Sequence, residues 1–276
     1  MMSSFKDRYL LASLPAILQR TGCLLIATMT AAIGILSLYT GDFAYTWMPV
    51  PEDVPGRSAA ARVVGLILIA ASVLLVIPRT LRQGVAAMLA VFALWLVPHL
   101  PGLLSGQSWL GFFEFLLPLG ACLALMGILD ASHKPIGASR RVLVGRMCFA
   151  VGLIGCGASH FVYADFAAQM IPEWIPGRLF FTYLTGAGHI AAGVSLIAGV
   201  MMRLSTALLC LMLACFVVLL HLPRVLTNPG SRFEWTMMFV AILFSGAAWV
   251  IASIVRSVAV GAIASEPHTT KASVPA

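Results

Sequence analysis

Residues 164–193 read ADFAAQMIPEWIPGRLFFTYLTGAGHIAAG. A short segment with two prolines and a Gly-Arg pair separates two apolar runs, and the second run holds His189 deep in its apolar body. Residues 41–71, GDFAYTWMPVPEDVPGRSAAARVVGLILIAA, follow the same order. Asp42-Phe43-Ala44 matches Asp165-Phe166-Ala167, Pro55-Gly56-Arg57 matches Pro176-Gly177-Arg178, and Gly65 matches Gly186. Further on, His99-Leu100-Pro101 matches His221-Leu222-Pro223 and Phe113-Glu114 matches Phe233-Glu234. The offset drifts only from 165 − 42 = 123 to 234 − 114 = 120. Self-similarity at so long a period predicts two tandem structural units.

Composition says what solvent those units meet. Hydrophobic residues make up 61% of the chain and charged residues 10%, with a mean hydropathy of +0.99. Soluble domains carry roughly 25% charged residues, so the sequence reads as an integral membrane protein. Apolar stretches fall at 21–40, 59–78, 84–101, 109–128, 142–162, 179–201, 204–222 and 233–255, most of them near the ~20 residues that cross a hydrocarbon core. The expected fold is all-α, with eight transmembrane helices forming two parallel-repeat four-helix bundles. The expected layout is an interfacial N-terminal segment (1–20), a first unit (21–129), a polar linker (130–141), a second unit (142–256) and a disordered tail (257–276).

Charge gives the expected direction. With the N-terminus inside, twelve Lys/Arg residues fall on that side and Arg57, Arg62, Arg178, Arg224 and Arg232 on the other. That asymmetry predicts cytoplasmic termini in a bacterial inner membrane. It also accounts for the formal net charge of +7 without a nucleic-acid surface, because the basic residues are scattered at helix ends. The six cysteines lie inside the apolar runs with no CxxC, which reads as packing.

Ionisable residues inside spans are costly and so are functional candidates. His221 with Glu234, echoed by His99 with Glu114, places an imidazole at the end of one helix and a carboxylate at the start of the next. Such a pair can relay protons or hold a quinone head group; the plainer reading is a carboxylate favoured at a helix N-terminus. His189 lies eleven residues below Arg178, about 16 Å down its helix at 1.5 Å per residue; Thr185, one turn above, is a local partner. Its counterpart is Leu68. His160, whose counterpart is Ser37, completes a two-histidine, one-carboxylate set with His221 and Glu234. Such a set can hold a divalent metal and paired histidines can hold a haem, but no HxxxH or ExxH spacing supports either. The pairs Asp42 with Arg57 and Asp165 with Arg178 bracket the proline-rich links and suggest closure of each link by a salt bridge. Tyr45 and Trp47 are expected at the headgroup level.

The run His160-Phe161, Asp165-Phe166-Ala167, Met170-Ile171-Pro172-Glu173-Trp174-Ile175-Pro176, Tyr183-Leu184-Thr185-Gly186 and Gly193 resembles the DoxX-like family of small bacterial membrane proteins. The likeness covers about 143–252 directly and 20–128 through the duplication. Where that family often has an acidic residue after the glycine of its second helix, this chain has His189. The resemblance implies a four-helix unit and, from relatives linked to thiosulfate oxidation, a quinone acceptor; other branches accompany enzyme maturation, and related bundles bind apolar ligands. Two functions follow as expectations. One is a quinone-linked redox accessory subunit with a membrane or periplasmic redox partner and a pocket on the periplasmic side of the second unit. It would use His189, His221 and Glu234 chemically and His160, Trp174, Arg178 and Thr185 for binding, with His99, Glu114 and Arg57 as first-unit counterparts. The other is a non-catalytic scaffold or lipid-binding module. The residues do not decide whether the protein is an enzyme.

Overall fold

The computed structural model describes residues 5–106, 108–131 and 135–264. Among them it is all helical, with eight helices long and apolar enough to cross a membrane. The elements are α1 (Phe5–Thr40), α2 (Arg57–Val76), α3 (Leu81–Leu96), α4 (Leu100–Ser105), α5 (Leu110–Asp130), α6 (Pro135–Val162), α7 (Ala164–Met170), α8 (Arg178–Ala198), α9 (Met202–Cys215), α10 (Leu222–Thr227) and α11 (Arg232–Ala264). This is a multi-helix membrane protein, and its apolar outer surface is the bilayer contact.

The helices pack in chain order around a ring: α1 on α2, α2 on α3, α3 on α5, α5 on α6, α6 on α8, α8 on α9, α9 on α11, and α11 back on α1. α5 and α11 also pack on each other through the middle and are the most buried spans. The first helix of each half thus lies on the last helix of the other half. A helix that is apolar all round suits either lipid or protein neighbours, so close packing selects the central place of α5 and α11. Glycines permit the close approaches that replace the hydrophobic effect in lipid. A Cβ at Gly34 on α1 would lie 2.6 Å from the Gly65 carbonyl on α2, and one at Gly157 on α6 would lie 2.7 Å from the Gly186 carbonyl on α8. Gly22 meets the Gly246 carbonyl at 2.7 Å and Gly145 meets the Gly120 carbonyl at 2.5 Å, joining α1 to α11 and α6 to α5.

Several expectations about span ends change. The spans expected to end at 101 and 222 run on to Ser105 and Thr227. The chain turns through a 3-10 segment, Val97–His99, into α4, and through a π-helical turn, Phe216–His221, into α10. Pro101 and Pro223 each fall in the first turn of the new segment, where a missing N–H costs nothing. A π turn is a common way to accommodate such an interruption. α1 is helical from Phe5, within the expected interfacial segment, and α11 continues to Ala264, into the expected tail; 265–276 lie outside the described residues, as does His133.

The largest departure is the first link. Trp47 is 3% exposed, and Phe43, Ala44 and Met48 are also buried. Trp47 stacks on Phe115 of α5 with centroids 4.2 Å apart, and Phe43 meets Trp95 edge-on at 5.7 Å. The link packs Trp47 against α5 inside its half, where stacking buries aromatic area, while Tyr45 stays 52% exposed. Arg57 pairs with Asp42, whose second oxygen meets Arg232 of α11 at 3.1 Å. The second link behaves otherwise: Trp174 is 67% exposed and Phe166 is exposed, and Asp165 and Arg178 form no ion pair with each other among the described residues.

Candidate functional site: an imidazole pair in the second half

α6 and α8 cross at Gly157 and Gly186, and each helix carries a histidine three residues past its glycine. One is His160 on α6, half-buried, and the other is His189 on α8, buried. Their rings lie 5.3 Å apart between centroids. Phe216, at the start of the π turn, closes a third side, 6.1 Å from His160 and 5.8 Å from His189.

Backbone carbonyls fix the tautomers. His189 Nδ1 donates to the Thr185 carbonyl at 2.9 Å. His160 Nδ1 donates to the Thr182 carbonyl at 3.2 Å and shares that proton with the Thr185 hydroxyl oxygen, also at 3.2 Å. The Thr185 hydroxyl in turn donates to the Phe181 carbonyl at 2.8 Å. A carbonyl only accepts, so Nδ1 carries the hydrogen in each ring and Nε2 of a neutral imidazole holds a lone pair. Neither Nε2 has a hydrogen-bond partner among the described residues. The expected Thr185 partnership with His189 therefore runs through the Thr185 backbone, and the hydroxyl serves His160.

The His-Glu pairs do not form. Glu234 is buried and accepts two hydrogen bonds from Arg224, from Nε at 2.8 Å and Nη2 at 2.7 Å. A guanidinium fork outcompetes a single imidazole N–H for a carboxylate because it supplies two charge-assisted bonds in one plane. His221 is buried at the far end of the π turn, and its Nδ1 has no hydrogen-bond partner among the described residues. In the first half His99 Nε2 donates to the Trp47 carbonyl at 3.2 Å, and its ring lies 5.3 Å from Phe115. A Cβ at Gly111 would lie 2.2 Å from His99 Cε1, so the ring sits where only glycine admits it. Glu114 is half-buried and makes no ion pair among the described residues. His160, His189 and Thr185 come together; His221, Glu234, Trp174, Arg178, His99, Glu114 and Arg57 lie elsewhere.

No group of three or more His, Cys, Asp or Glu side chains among the described residues is arranged to hold a metal. An apolar groove of about 270 Å³ runs between α8 and α9, lined by Gly188, Ala191, Ser195, Leu204, Leu208 and Met212 among others. It begins one residue from His189 and runs toward the end carrying the chain termini, away from the proline-rich links. Phe216 was not legible as a site residue, because only the π turn decides where it faces. Asp130 was assigned to a polar linker and is instead the buried last residue of α5; an acid closing an unbroken apolar run on the basic side was the available signal.

Comparison with family models, curated proteins and solved structures returns no match.

Proposed function

We propose that the second half binds an apolar molecule with a hydroxyl-bearing head group, a quinol in the redox-accessory reading, through His160 and His189. The observation that carries this is the imidazole pair, with each Nδ1 tied to a carbonyl and each Nε2 lone pair left to accept an O–H. Phe216 offers an aromatic ring beside it, and the neighbouring α8–α9 groove suits an isoprenoid or acyl tail. The first half supports the reading by contrast. There Phe43, Trp47 and Phe115 fill the mouth, while Leu68 and Ser37 stand at the matching positions.

This correspondence rests on a duplicated unit inserted twice in the same orientation, with both termini cytoplasmic in a bacterial inner membrane. The matching glycine contacts favour it: Gly34 meets Gly65 beside Leu68 Cβ, as Gly157 meets Gly186 beside His189 Cβ. In the last helices Gly120 meets Gly145 of α6 as Gly246 meets Gly22 of α1; matching these contacts gives an offset of 246 − 120 = 126, so Glu114 and Glu234 are not equivalent positions in this reading. The DoxX-like resemblance rests on the residues of 160–193.

A second reading has one observation in its favour. Glu234 is neutralised by Arg224, so the pair expected to exchange protons is occupied, which suits a lipid-binding or scaffold module. The test exchanges residues between halves. His160→Ser with His189→Leu installs side chains that the first half accommodates at the same crossing. Wild-type protein purified without added lipid should carry extractable quinone, and the exchanged protein should lose it while keeping its thermal stability. Wild-type protein with no quinone, and no binding on titration with a short-chain quinol, would remove the redox reading.

A further inference from the structure

At the end that carries the chain termini, α3, α5 and α6 enclose a cleft of about 400 Å³, lined by Arg82, Gln83, Ala86, Met126, Asp130 and Arg141. The Asp130 carboxylate is 2% exposed and lies between two guanidinium groups, with Arg82 Nη1 2.7 Å from Oδ1 and Arg141 Nη1 against Oδ2. The arginine side chains are 58% and 40% exposed. Each arginine meets the carboxylate through a single nitrogen, Nη1, which leaves the other N–H donors of both forks for a ligand. Two cations against one anion leave the cleft with a charge of about +1. No other carboxylate with a described side chain lies at this end.

We propose that this cleft binds the phosphate group of an anionic phospholipid. Guanidinium forks match phosphate oxygens bidentately, and the Gln83 amide adds a donor beside them. Ala86 and Met126 continue the wall with apolar surface, as a glycerol and the start of an acyl chain require and a free anion does not. The site lies at a helix end between spans, the depth at which basic pockets meet headgroups. Asp130 acts as the positioning residue: its buried charge holds two long side chains in place before the ligand arrives, which lowers the ordering cost of binding. The positive-inside excess read from the sequence puts this leaflet on the cytoplasmic side.

Full-length protein in detergent is loaded with phosphatidylglycerol or phosphatidylcholine, and retained lipid is counted by native mass spectrometry. Wild type should retain phosphatidylglycerol preferentially. Arg82→Gln with Arg141→Gln should weaken retention about 25-fold, from roughly fivefold per arginine at a membrane surface. That variant orphans Asp130, so a triple variant adding Asp130→Asn removes the buried charge; it should fold as wild type and show the same loss. Arg140→Gln removes one charge at the same end outside the cleft and should change retention less than twofold. Equal retention of the two lipids by wild type, or an Arg140→Gln loss as large as that of a cleft arginine, overturns the proposal. Displacement of bound phosphatidylglycerol by millimolar inorganic phosphate overturns the lipid assignment in favour of free phosphate.

Discussion

Replacing Arg224 with alanine separates two accounts of Glu234. In the structure the carboxylate is buried and receives two charge-assisted bonds, at 2.8 and 2.7 Å, from a guanidinium that is 28% exposed. Breaking a buried pair from one side costs about 3–5 kcal/mol, because the remaining charge stays desolvated. The partial exposure of Arg224 lets water replace some of the lost contact, so the lower end, about 3 kcal/mol, applies. Glu234→Gln removes the charge and keeps the shape, at a cost of about 1 kcal/mol for the weakened bonds. The double variant leaves no orphaned charge and should sit near the Glu234→Gln value, giving a coupling of about 2–3 kcal/mol in a double-mutant cycle. The assay is reversible unfolding of the purified protein in mixed micelles with increasing SDS. A parallel cycle pairs His221→Ala with Glu234→Gln and should show a coupling well below that of the Arg224 pair. An Arg224→Ala cost no greater than that of Glu234→Gln, or a coupling that appears with His221 instead, would refute the assignment.

The helix crossings and the first link give further outcomes. Gly34→Ala and Gly157→Ala each place a methyl within 2.7 Å of a carbonyl on the neighbouring helix and should each cost about 1–3 kcal/mol from overpacking, whereas Gly230→Ala meets nothing within 4 Å and should leave unfolding unchanged. Trp47→Ala should cost about 3–5 kcal/mol as a buried aromatic deletion, while Trp174→Ala should stay within about 0.5 kcal/mol; equal costs would refute the burial of Trp47. Gly111→Ala drives a methyl into the His99 ring and should release the bond to Trp47, seen as increased fluorescence quenching of that tryptophan by acrylamide.

The two halves of the site differ in how far the chain foretold them. His160, Thr185 and His189 were found because each is a polar residue in an apolar run, and because the α8 residues are one turn apart on a single helix. Their meeting across α6 and α8 follows from a glycine contact that brings those backbones together. The expected His221–Glu234 pairing does not form for a specific reason. Sequence spacing placed His221 and Glu234 at similar depth, but depth says nothing about rotation about the helix axis, and the π turn changes the azimuth of everything after Phe216. Arg224, three residues beyond His221, was thereby presented to the carboxylate.

Hydropathy and length determined the eight spans, since a 20-residue apolar run has no other low-energy place than the hydrocarbon layer and must satisfy its backbone within itself. The glycine positions marked where helices can approach closely. Which helices they join was decided only in three dimensions: the closing of α1 on α11, like the packing of α5 on α11, depends on long-range packing between segments far apart in the chain. The inward fold of Trp47, the outward fold of Trp174 and the burial of Asp130 between two arginines have the same origin. An aromatic or charged side chain at a membrane boundary has two solvents within reach, and only the surface offered by its neighbours settles which one it takes.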